Sequence, residues 1–68
     1  MPRADRYHYL DTRARVDYLA LNGAVLMPEL REALHRDLVA SVDYCTPEER
    51  ARLRAERPAC LKTLGVQA

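Results

Sequence analysis

The chain has no phenylalanine, no tryptophan and no isoleucine, and it holds one serine, one lysine and two glycines in 68 residues. Each shortage excludes something. The core must be assembled from ten leucines, five valines, two methionines and four tyrosines, so it must be small. Two glycines cannot build a phosphate-cradling loop, which needs several at fixed spacing. The one serine, Ser41, falls within a helix-forming segment, and no nucleophile–base motif surrounds it. Catalysis therefore has no nucleophile–base pair to work with, and a chain this short has little room for a large concave pocket. The expectation is a non-enzyme without a cofactor.

Cysteine is equally sparse. Cys45 and Cys60 lack the Cys-x-x-Cys spacing of redox and zinc motifs. With His8 and His35 they could supply four ligands, but no pair has the tight spacing of a zinc knuckle. A helix between the two cysteines would hold their Cα atoms beyond the roughly 7 Å that a disulfide spans. Long apolar runs are missing too. Tyr18 to Pro28, the longest uncharged stretch, is shorter than the roughly 20 residues of a membrane span. Pro2, Arg3, Asp5 and Arg6 interrupt what would be the apolar start of a signal peptide. A cytoplasmic, reducing setting is expected, with no membrane partner.

Size sets the next limit. A 68-residue chain is one domain and buries only about 60% of the surface exposed by its unfolded form. A partner or a second copy would add stability, so a homodimer is one expectation.

What is present is charge, unevenly placed. Net charge is +1. Residues 1–15 hold four arginines and two aspartates, residues 16–47 two arginines and five acids, and residues 48–68 five basic groups and three glutamates. Basic ends flank an acidic middle. Arginine outnumbers lysine ten to one, and its planar fork suits carboxylate or phosphate.

The C-terminal half has clear punctuation. Thr46-Pro47-Glu48-Glu49 is a helix start, with Thr46 as cap, Pro47 in the first turn and Glu49 placed for a capping box. Pro58 ends that helix near Arg57. "ACLKTLG" forms a short last turn or helix closed by Gly65. Upstream, Pro28 opens another helix. Leu30, Ala33, Leu34, Leu38, Ser41 and Val42 fall on one face at helical spacing. A two-helix hairpin over about 28–43 and 47–57 follows.

Residues 13–27 read as a β-hairpin. "RARVDY" alternates polar and apolar, and Asn22-Gly23 between "YLAL" and "AVLM" is a strong two-residue hairpin turn signal. "RYHYL" at 6–10 would add an edge strand. The competing reading is a helix from Thr12 to Asn22 stopped by Gly23, but its apolar residues scatter around the wheel. The expected fold is thus a small, helix-rich α+β domain, with an all-α three-helix bundle as the alternative.

Two surfaces are candidates for binding a partner. Arg50, Arg54 and Arg57 lie at i, i+4 and i+7, and none has an acid three or four residues away. Arg52, by contrast, is flanked by Glu48 and Glu56. The second candidate is the N-terminal group of Arg6, Tyr7, Tyr9, Arg13 and Arg15, because Tyr and Arg are enriched in interface hot spots. Bland alternatives stand beside both. The arginines can be a solvated face, and the tyrosines can pack over the core.

A helix-turn-helix reading fits poorly: the join at Ser41–Thr46 lacks glycine, and the helix after Gly23 opens with Glu29 and Glu32, which phosphates repel. The leading functional expectation is a non-catalytic regulator that docks on a larger protein of the nucleic-acid machinery, such as RNA polymerase or a defence complex. Direct DNA or RNA binding by a small dimer, and a structural or assembly subunit, are the alternatives.

Overall fold

The computed structural model describes the backbone of residues 2–68 and the side chains of residues 7–68. It contains four helices: α1 (Pro2–Asn22), α2 (Pro28–Asp43), α3 (Pro47–Glu56) and α4 (Pro58–Leu64). A 3-10 turn at Gly23–Val25 joins α1 to α2. There is no strand among the described residues.

All four prolines of the chain stand at the first residue of a helix. Proline's fixed φ suits that position, and its missing N–H is one that a helix start leaves unpaired anyway. The four helix starts are therefore written in the sequence.

The expected β-hairpin at 13–27 and the edge strand at 6–10 are corrected: both segments belong to α1 and the turn after it. The physical reason lies in what gets buried. Tyr9, Thr12, Val16 and Leu19 are buried at i, i+3, i+7 and i+10, the period of a helix face. The strand alternation of Ala14, Val16 and Tyr18 was incidental, since only Val16 of the three is buried. The wheel misleads because the buried stripe includes a threonine, while Leu10, Tyr18 and Leu21 stay exposed. A type I′ hairpin would need positive φ at both Asn22 and Gly23. Asn22 has φ −115°, and Gly65 is the glycine with positive φ.

α2 keeps its expected bounds, and α3 stops one residue short, at Glu56. Arg57, before Pro58, takes φ −135° and ψ 47° outside the helix, as a residue preceding proline tends to. α1 is the hub: it packs on α2 and on α4, while α3 rests on α4. The core gathers Tyr9, Val16 and Leu19 from α1 with Leu38, Val42, Leu53 and Leu61 from the other helices, closed by Val66.

Two local devices hold the C-terminal half. At α3 the capping box is complete: Glu49 N–H donates to Thr46 Oγ1 at 3.1 Å, and Thr46 N–H donates to Glu49 Oε1 at 2.8 Å. At the end of α4 Gly65 adopts φ 68°. Its N–H reaches Lys62 O at 3.2 Å, and the N–H of Val66 reaches Leu61 O at 3.1 Å, the paired bonds of a Schellman motif. Val66 and Leu61 are both in the core cluster, which supplies the motif's apolar contact.

The two glycines should therefore respond oppositely to alanine. A Cβ at Gly65 meets nothing within 4 Å, so the cost of Gly65→Ala is the left-handed backbone, about 1 kcal/mol. Gly23 has no positive φ, and a Cβ there would meet Arg31 Cδ at an ordinary 4.0 Å. Gly23→Ala should leave stability unchanged or raise it by about 0.5 kcal/mol. Urea denaturation of both variants checks this; equal midpoints would refute it.

Candidate interaction surfaces

The tertiary structure redistributes the expected binding residues. Tyr9 is 2% exposed, so it is a core residue and not a surface anchor. Its hydroxyl donates to Glu56. Arg13 Nη1 donates to Glu56 Oε1 at 3.1 Å, and Arg52 Nε to Glu56 Oε2 at 3.0 Å. The guanidinium of Arg52 also lies 4.5 Å from the centre of the Tyr9 ring, and that of Arg13 lies 5.8 Å away. Cations over the ring face gain from its quadrupole. One carboxylate thus ties α3 to α1 through two donors, Tyr9 and Arg13, while Arg52 of its own helix supplies a third. Those donors hold Glu56 at a pKa of about 2, the Tyr9 hydroxyl contributing most, then Arg52 and Arg13. Burial pushes the Tyr9 phenol upward, and the neighbouring Glu56 adds to this.

The arginine stripe is broken up in the same way. Arg57 lies outside α3, and its Nε donates to Asp17 Oδ1 at 2.7 Å across the α1 interface. That pairing, to a carboxylate 40 residues away, raises its pKa further. Arg54 Nη1 donates to the Ala68 carbonyl. Arg50, half-buried, forms no ion pair among the described residues. Arg15 pairs with Asp11 one turn away at 3.1 Å. The Arg6 side chain lies outside the described residues. Of the eight expected contact residues, only Tyr7 and Arg50 keep a described side chain uncommitted; Tyr7 is 67% exposed.

A second polar cluster lies between α1 and α2. Thr12 and Ser41 share a hydrogen bond through their hydroxyls. His8 Nε2 donates to Ser41 O at 2.7 Å, so the ring proton sits on that nitrogen and faces the carbonyl. The Cys45 thiol approaches Ser41 O at 3.5 Å, and burial raises its pKa. No buried side-chain N or O atom among the described residues lacks a partner. The cluster reads as a satisfied helix–helix joint. The described residues contain no grouping of three or more His, Cys, Asp or Glu able to hold a metal, and Cys45 and Cys60 are free thiols.

Two exposed apolar regions lie at opposite ends of α1; of their residues, sequence reasoning had singled out only Tyr7 as a contact residue. At one end stand Tyr7, Leu10 and, just past α2, Tyr44, which is 82% exposed. The rings of His8 and Tyr44 meet edge-on at 6.3 Å, which joins Tyr44 to the start of α1. Leu10 lines a shallow groove with Tyr9, Glu49 and Arg52. At the other end, the corner between α1 and α2 exposes Tyr18, Leu21, Val25, Met27 and Leu30. The signal was present in the sequence. The scatter of apolar residues around the first helix marks a helix with more than one apolar face, not a failed helix.

The fold and these surfaces define an all-helical domain with polar joints inside and apolar ends outside. No helix among the described residues is long and apolar enough to cross a membrane. No family model matches the chain, and no curated protein and no solved structure is measurably similar to it.

Proposed function

We propose that this chain is a small non-catalytic interaction protein that docks on a larger protein. Its contact surface is the end that carries Tyr7, Leu10 and Tyr44. The observation that supports this most is the pair of tyrosines, 67% and 82% exposed, at the end of the molecule where Leu10 and Arg52 line a groove. Tyr and Arg are the residue types that dominate interface hot spots, because they combine apolar area with a polar tip.

Arg13, Arg15 and Arg57 each spend their charge on an acid of the same chain. That takes three of the six expected arginine contacts away from phosphates, which favours a protein partner over direct nucleic-acid binding. The finer expectation, a partner within the nucleic-acid machinery, rests on an analogy of chain length with small regulators.

Affinity purification from the native host, with and without nuclease, tests both levels. A specific protein should co-elute in both arms from the wild type and be lost from Tyr7→Ala/Tyr44→Ala. Both side chains are exposed, so the variant's far-UV circular dichroism should match the wild type. Co-elution that survives the double substitution would refute the docking end. A partner released by nuclease would replace the reading with nucleic-acid binding.

A further inference from the structure

We propose that the corner between α1 and α2 is a self-association surface that pairs two copies of this chain about a two-fold axis. The proposal concerns the opposite end from the docking surface: Tyr7 and Leu21 are separated by about 21 Å along α1.

The corner is unusually apolar for a free surface. Leu21 is 84% exposed, Val25 83% and Met27 69%, with Tyr18 and Leu30 about half exposed. Tyr18 and Leu21 lie one turn apart near the end of α1, and Val25 stands in the 3-10 turn that follows. At ordinary residue areas these five exposures amount to on the order of 600 Å² per copy, the top of the range for the largest apolar patch on a monomer. That is most of the roughly 800 Å² per partner that a standard stable interface buries.

Three further features select a second copy as the occupant. First, the charges around the patch are of both signs. Arg31 lies between Glu29 and Glu32 on α2, and Arg15 and Asp17 flank Tyr18's side of α1. An isologous contact lays the same patch on itself, so a rim carrying both signs avoids the repulsion that a rim of one sign would meet, whereas a strongly charged partner would find no matching field. Second, knob and hole are both present on one chain. Ala14, Arg15, Tyr18, Leu19 and Leu34 line an apolar groove of about 260 Å³, and exposed Leu21 lies one turn beyond Tyr18 on α1. Third, the intrachain core is small, and a chain of this length gains from pairing.

Sedimentation equilibrium of the purified chain, from low micromolar to near-millimolar concentration, tests the proposal without any other partner. The weight-average mass should rise from one chain to two and stop there. Leu21→Glu places a charge in the contact and should weaken pairing at least tenfold, with an unchanged circular dichroism spectrum. Val25→Glu repeats the test from the 3-10 turn, and Tyr44→Ala at the far end should pair like the wild type. A wild type that stays at one chain mass throughout would overturn the proposal. So would folded Leu21→Glu and Val25→Glu variants that pair with wild-type affinity, or a mass that climbs past two.

Discussion

Leu53→Ala should leave the chain largely unfolded at room temperature. Leu53 is the only large apolar residue in α3 and is fully buried. Truncating a buried leucine costs about 2–5 kcal/mol, through lost transfer energy and the cavity left behind. A domain of this size has little more than about 3–5 kcal/mol from its core. α3 has no second apolar anchor to hold it while the rest repacks. The flanking side chains make this worse, because Arg52 and Glu56 reach Tyr9 only from a docked α3. Far-UV circular dichroism and urea titration check the expectation. A cooperative transition with a midpoint near that of the wild type would show that α3 docks by its charged side chains alone. Exposed Val39, on the outer face of α2, provides the control: Val39→Ala should shift the midpoint little.

Glu56 should govern the acid limb of stability. Its carboxyl is held at about 2 in the folded chain, against an unfolded value near 4.3. A group whose folded pKa is depressed contributes stability that is complete above its unfolded pKa. That contribution is lost as pH falls toward its folded pKa. The loss should therefore fall between about pH 4.5 and pH 2. Glu56→Gln removes the titrating group and the anion that accepts from Tyr9, Arg13 and Arg52. The variant should be less stable than the wild type at pH 7 and should follow a flatter profile through that window, so that the two curves converge near its acid end. Thermal melts at stepped pH measure this directly. Parallel curves across the window would mean that another carboxylate carries the acid transition. Tyr9→Phe should also lose stability at pH 7, because the hydroxyl is the largest influence on Glu56.

Much of the helical scaffold was legible from local chemistry. Prolines mark each helix start; Thr46 and Glu49 form the expected capping box; Gly65 closes the last helix in the conformation that only glycine adopts cheaply. These signals act within one turn of backbone, so a single sequence suffices to read them. The Asn22-Gly23 signal is local too, but it was ambiguous. The same pair serves a hairpin or a helix stop, and the choice fell to burial of Tyr9, Val16 and Leu19 against residues of the three later helices.

The candidate sites were far less legible, for the same reason. Spacing correctly showed that Arg57 has no acid three or four residues away, yet Asp17 reaches it from α1. Tyr9 looked like a surface aromatic among arginines, yet α3 covers it and turns those charges into its partners. Tyr44 and the α1–α2 corner came to notice only once the core had taken its share of apolar side chains and left these outside.

By itself, then, the sequence determined where the helices from Pro28 onward begin, how the last two are capped, and that the core would be small and leucine-based, but not the first helix. Those outcomes depend on φ restrictions, missing N–H groups and capping side chains, all within a few residues of one another. Which arginines are spent on internal carboxylates, which tyrosine is core, and which apolar residues remain outside were decided only by the tertiary structure. Those outcomes depend on which faces meet, and an ion pair or a buried ring is defined by its neighbour across the bundle, not by its neighbours in the chain.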